Sequence, residues 1–237
     1  MDSSSGDSKA GQFFSINIPV YNEEEIIVQN TQKLIQFLTN LGLHYEVIIV
    51  SNGSTDGTIV KGKVLEQMYP QVCFFHIPQK GVGKAFRLAA EHASSPYLIS
   101  MDMDLAVELE FIPKALKLLN DYTIVLGSKI LGTQKRSLIR RIGGGMYILV
   151  SKALLGLKFH DYSIGGKAYN RNFVLEHMDR IDDETNYVIN LTYHAVKRGY
   201  NVIEIPVKCV DTRKSRFNLL REAIYRYSML LKMILLK

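Results

Sequence analysis

Five nearly continuous apolar runs, FFSINI (13–18), YEVIIV (45–50), VCFFHI (72–77), YLISM (97–101) and TIVLG (123–127), alternate along the chain with helix-length segments. A strand that is apolar at every residue has no face to offer water, so it belongs in a sheet covered on both sides. The intervening helices supply that cover, and the resulting βαβ series predicts an α/β fold with a mostly parallel sheet between two helical layers. Ligands of such sheets gather outside the carboxyl ends of the strands, which directs attention to the residues that follow each run.

Later elements are expected as a helix over 138–155, a short strand near 165–169, a helix over 184–198 and a strand over 201–207. The 237 residues, 47% of them hydrophobic, suffice for one large domain. Its expected bounds are 13–210, preceded by a polar Ser/Gly-rich tail (1–12) and followed by a basic amphipathic helix (211–237). The tail has neither a basic start nor an apolar stretch, so it reads as disordered rather than as a signal peptide. Two cysteines, Cys73 and Cys209, sit in apolar runs without metal-site spacing, which fits a reduced, cytoplasmic setting. No run reaches the roughly 18 uncharged apolar residues of a membrane span.

After the first run, IPVYNEEE has Pro19 stopping the strand and Tyr21 at the sheet edge, where a flat base can stack. Asn22 and Glu25 have the spacing of a helix cap, with Glu23, Glu24 and Glu25 in the first turn. Acids there also complement the positive end of a helix without touching any ligand. The second run leads into VSNGSTDGT, where Asn52, Gly53 and Ser54 suit a base or ribose site, and Ser54 or Thr55 equally suits a helix cap. KGVGKAFRLAA is no P-loop, but Lys80, Gly83, Lys84 and Arg87 can face a diphosphate.

MDMDL is the sharpest local signal. Strand periodicity puts Asp102 and Asp104 on one side of the chain, flanking Met103, as it leaves the sheet. Two hard oxygen ligands at that place suit Mg2+ or Mn2+ held against phosphate oxygens.

The net charge of +6 is unevenly spread. Residues 122–160 hold seven Lys/Arg and no acid, and 211–237 hold seven against two acids, while the remainder is net acidic. Lys129, Arg140, Arg141, Arg213 and Arg216 are thereby the candidates to meet an anionic partner. Nucleic acid is disfavoured, because Trp is absent and no recognised nucleic-acid motif occurs. Within 211–237 the apolar residues Ile224, Tyr227, Leu230 and Leu231 fall at helical spacing, as in a helix on an anionic membrane or one docked on protein.

The order of these motifs resembles the family-2 glycosyltransferases of GT-A fold, of the polyprenyl-phosphate sugar synthase type, over roughly 13–216. The resemblance implies a nucleotide-sugar donor held by Pro19, Tyr21, Asn22, Glu23, Asn52–Ser54, Lys80, Gly83, Lys84 and Asp102–Asp104. It implies a metal on Asp102 and Asp104, a GSK basic segment at Lys129, and DYSIGGKAYN as the acceptor loop. A polyprenyl phosphate acceptor would meet Lys129, Arg140, Arg141, Arg213 and Arg216, and Asp161 would position acceptor or sugar in an inverting displacement at the cytosolic membrane face. Three departures stand out: Ser51–Asn52 in place of paired aspartates, Ala106 in place of a polar residue, and Val188 and Asn190 where relatives often carry acids. Asn52 is expected to read a base edge through its amide. The alternatives are a soluble glycosyltransferase, needing a base such as Asp161, Asp182 or Asp183, and a non-catalytic nucleotide-sugar-binding module. An oligomeric or membrane-protein partner is also compatible with the basic helix.

Overall fold

The computed structural model describes residues 12–135, 138–210 and 219–235. Its strands are β1 (Phe14–Val20), β2 (Tyr45–Asn52), β3 (Val72–Ile77), β4 (Tyr97–Ser100), β5 (Ile124–Lys135), β6 (Lys167–Asn170) and β7 (Val202–Val210). Its helices are α1 (Ile27–Asn40), α2 (Thr58–Met68), α3 (Val82–His92), α4 (Phe111–Leu118), α5 (Leu138–Leu155), α6 (Arg171–Glu176), α7 (Tyr187–Lys197) and α8 (Leu219–Leu235). The strands form one sheet in the order β3-β2-β1-β4-β6-β5-β7. Every pairing is parallel except those of β6, which runs antiparallel to both β4 and β5.

The continuous apolar runs have the expected cause. Along β2, Val47 and Ile49 join one core with α1 and α4, while Ile48 and Val50 join a second core with α3 and α7. Each of these four residues is buried, on alternating sides, and the molecule is a three-layer sandwich.

Several local expectations are corrected. Pro19 does not stop the strand: β1 continues to Val20, with Pro19 opposite Val50. The ladder with β4 has ended at Asn17, so the missing N–H of Pro19 leaves that ladder intact. Asn22 does not cap α1, which starts four residues after Glu23, and Asn22 itself lies in the left-handed region at φ 55. Its side chain instead accepts from the Thr55 N–H at 2.8 Å. Neither Ser54 nor Thr55 caps α2, whose N-cap is Gly57. The fifth strand runs on to Lys135 through a bulge between Ser128 and Thr133, where it rejoins β7. That extension carries exposed Ile130 and Leu131 and so lacks the continuous burial that marked its start.

α8 packs Tyr227, Leu230 and Met233 against the second core. Ile224, Leu231 and Leu235 on another side are 63%, 59% and 83% exposed. No helix among the described residues is long and apolar enough to cross a membrane.

Candidate active site

The sheet reverses its direction of winding between β1 and β4, and there the loops after β1, β2 and β4 meet. The first two are laced together. The Asn22 N–H donates to Ser54 Oγ at 3.1 Å, the Glu23 N–H to Thr58 Oγ1 at 2.7 Å, and the Gly57 N–H to Glu24 Oε2 at 2.8 Å. Gly53 is required twice: its φ is +74, and a Cβ there would lie 2.9 Å from the Lys80 nitrogen. The close approach that glycine permits is therefore between loops rather than to a ligand.

Two further expectations fail for the same reason. Asn52 is 2% exposed, and its amide bridges the Val20 carbonyl at 2.9 Å and the Gly81 N–H at 3.2 Å. It cross-links three loops and does not present an edge to a base. Met103 turns into the core, and its carbonyl accepts from Asn30 Nδ2 at 2.9 Å. Gly83 likewise answers to packing, since a Cβ there would meet the Asp182 carbonyl oxygen at 1.8 Å and its N–H donates to the Asp183 carbonyl at 3.0 Å. The start of α3 is thus closed by the 182–184 loop. Lys84 lies 3.4 Å from the Asp183 carboxylate, which Arg87 also contacts. Those two cations, foremost the Arg87 hydrogen bond, hold that carboxyl below its ordinary value.

A shelf does remain at the open side. The Lys80 ammonium stands 3.8 Å from the centre of the Tyr21 ring, a cation–π pair at the rim of the β1 and β3 loops. Of the neighbouring site candidates, Pro19 is half-buried and Ser54 buried, its Oγ engaged with the Asn22 N–H.

Asp102 and Asp104 are not on a strand, because β4 ends at Ser100. They stand in a turn closed by the Leu105 N–H to the Asp102 carbonyl at 3.0 Å, with Leu105 at φ 49. One oxygen of Asp104 accepts from the Ala106 N–H at 3.0 Å. Asp102 keeps a solvent-facing side, yet the surrounding protein displaces much of its water. That desolvation, reinforced by Asp104, pushes its carboxyl up to about 6. Two mutually repelling carboxylates of hard oxygen are what a divalent cation bridged to phosphate would relieve, so the residues present fit Mg2+ or Mn2+. No cluster of three or more His, Cys, Asp or Glu suited to a metal occurs among the described residues, so water or substrate would complete its ligand shell.

Beside this pair lies a buried charge cluster. Asp161, 2% exposed, takes the Lys129 N–H at 3.2 Å and lies 3.2 Å from the Lys129 ammonium, which also donates to Ser163 Oγ at 2.6 Å. Burial alone would raise the Asp161 carboxyl, but the Lys167 and Lys129 ammonium groups and Ser163 outweigh it and hold it below its ordinary value. Lys167, 1% exposed, donates to the Gly127 carbonyl at 3.0 Å, and burial drives its ammonium down to about 8. Glu204 on β7 takes the N–H groups of His160 and Asp161. Sequence reasoning missed Lys167 and Glu204. The signal for Glu204 was a charged residue inside an apolar stretch, VIEIPV, whereas Lys167 opens the short strand KAYN and carried no such mark. The side chains of Arg140 and Arg141, and Arg213 and Arg216 entirely, lie outside the described residues.

A mostly parallel sheet with two carboxylates just beyond β4, at its switch point, has the layout of an α/β enzyme whose ligands gather at the strand ends. The chain belongs to glycosyl transferase family 2, which it matches over residues 15–179. The expected class, a glycosyltransferase of GT-A fold, agrees with that membership. Among curated relatives it is 29% identical over 130 residues to a dolichyl-phosphate hexose transferase of Haloferax volcanii, covering 54% of this chain and 56% of that one. It is 33% identical over 118 residues to a dolichol-phosphate mannosyltransferase of Pyrococcus furiosus, covering 48% and 32%. The matches thus span about half or less of those relatives' lengths. A Mycobacterium tuberculosis glucosyl-3-phosphoglycerate synthase in complex with Mn2+, UDP and phosphoglyceric acid shares the fold, with a TM-score of 0.68 at 18% identity over 94% of this chain and 79% of that one.

Proposed function

We propose that this chain transfers a hexose from a GDP- or UDP-linked donor to a polyprenyl phosphate at the cytosolic face of a membrane, by a single inverting displacement. The observation that carries the reading is the Asp102–Asp104 pair in the turn after β4, at the switch point and beside the Tyr21–Lys80 shelf. A nucleotide stacked on that shelf directs its diphosphate toward the carboxylates. A divalent cation held by Asp102 and Asp104 would supply charge neutralisation on the leaving diphosphate. The two polyprenyl-phosphate sugar transferases among the relatives support the acceptor class.

An alkyl phosphate with a second pKa near 6 is largely dianionic at neutral pH and needs no strong base. Asp161 accords with this. It is held ionised by Lys129 and Lys167, and its oxygens are engaged with Lys129 and Ser163, so its part is to hold the acceptor loop. Lys129 is correspondingly the inner member of that pair, and the acceptor phosphate falls to Arg140, Arg141, Arg213 and Arg216 in this proposal. Ile224, Leu231 and Leu235 offer an apolar stripe to lipid while another side of α8 stays docked.

The test is transfer from a panel of nucleotide-sugars to a short polyprenyl phosphate with Mn2+ or Mg2+. Asp102→Asn and Asp104→Asn are each expected to lower turnover by at least about 100-fold, the scale of losing a principal electrostatic contact in a transition state. Unchanged turnover in both variants sinks the reading. Transfer to a saccharide hydroxyl, with none to the lipid phosphate, would favour the soluble alternative.

A further inference from the structure

We infer that Gly165 is a positioning residue for the Asp102 carboxylate, an inference that rests on the metal reading above. The Gly165 N–H donates to Asp102 Oδ2 at 3.0 Å. A Cβ built on Gly165 would lie 2.4 Å from both Cγ and Oδ1 of Asp102 and 2.6 Å from Oδ2. Carbon atoms in favourable contact stand about 3.5–4.0 Å apart, so the carboxylate occupies the space where any other residue would carry its side chain.

Backbone conformation does not explain this glycine. The described glycines at positive φ are Gly42, Gly53, Gly156 and Gly199, and Gly165 is not among them. Its neighbour Gly166 faces something else: a Cβ there would meet Val107 at 3.0 Å and Phe111 at 3.6 Å, an apolar wall. Two adjacent glycines thus serve two purposes, and only the first touches a metal-binding group.

Gly165 has little room to withdraw from an added methyl group. Upstream, the N–H groups of His160 and Asp161 are bound by Glu204 at 2.9 and 2.8 Å. Downstream, Gly166 accepts from the Gly127 N–H at 2.9 Å and Lys167 is anchored on the Gly127 carbonyl at 3.0 Å. Asp102 has one short side chain and must turn instead, moving its oxygens from the position the Gly165 N–H now fixes. Ligand groups displaced by about half an ångström or more lose much of their value.

The experiment compares wild-type chain with Gly165→Ala, titrating Mn2+ in excess UDP or GDP and following free Mn2+ by electron paramagnetic resonance. Affinity in the folded variant is expected to fall at least tenfold, and equal affinity would overturn the inference. Wild-type protein that binds no Mn2+ with either nucleotide would remove the metal reading itself, and this inference with it. Thermal unfolding covers a variant that folds poorly. In an Asp102→Ala background the added methyl has room, so the drop in Tm from Gly165→Ala should shrink by more than half. The same drop in both backgrounds would show that the methyl strikes something other than Asp102.

Discussion

Asp102 releases its proton near 6 in the folded chain, against 3.8 for an ordinary aspartate. A carboxyl raised by folding retains its proton longer in the native state, so its contribution is most favourable below the unfolded value. That contribution is lost as pH rises from 3.8 through about 6. Metal-free protein at pH 7 therefore carries an unfavourable charge at this position. Asp102→Asn should raise its Tm at pH 7, with a gain that shrinks as pH is lowered toward 4, measured by thermal unfolding in a chelator. A cation favours the ionised form, so the sign reverses with metal present: Mn2+ affinity should fall by up to about tenfold per pH unit below 6. Titrations at pH 5, 6 and 7 check this, and a flat profile would place the metal elsewhere.

At the scale of elements, the 160–167 segment is held from below by Glu204 and Lys167 and reaches upward to Asp102. Lys167→Met removes one charge of a buried cluster and leaves Asp161 with Lys129 as its remaining cation among the groups that hold it ionised. The Lys129–Asp161 ion pair survives, and what is lost is the buried charge-assisted hydrogen bond to the Gly127 carbonyl, so a loss of about 1.5–3 kcal/mol is expected in urea unfolding. This segment was only half legible in the sequence. β1, β2 and β4 were plain because burial on both faces writes itself as a nearly continuous apolar run, and β3 at the sheet edge kept the run although it is only partly buried. A lysine within KAYN leaves no periodic mark, and its burial follows from the packing of β6 between β4 and β5. Asn22 as a helix cap and Asn52 as a base reader failed for a related reason. Their residue types suit several roles, and the bridging one shows only in the long-range contacts with Thr55, Val20 and Gly81. The paired aspartates were expected on strand geometry, and they stand instead in a turn beyond the end of β4.

For the whole molecule, α8 has one side fixed to the second core and another left apolar and exposed. Replacing Ile224, Leu231 and Leu235 together with Ser should lower flotation with anionic liposomes several-fold and leave Tm nearly unchanged, because these side chains are largely exposed. Retained flotation would assign membrane contact to another surface. The lacing of Asn22–Glu24 to Ser54–Thr58 has a separate consequence for the same molecule. Loops that are already cross-linked surrender little conformational freedom when a nucleotide arrives, so that portion of the pocket needs no disorder-to-order step. Amide hydrogens at 22–24 and 54–58 should then exchange slowly in the free protein and change little on adding UDP or GDP.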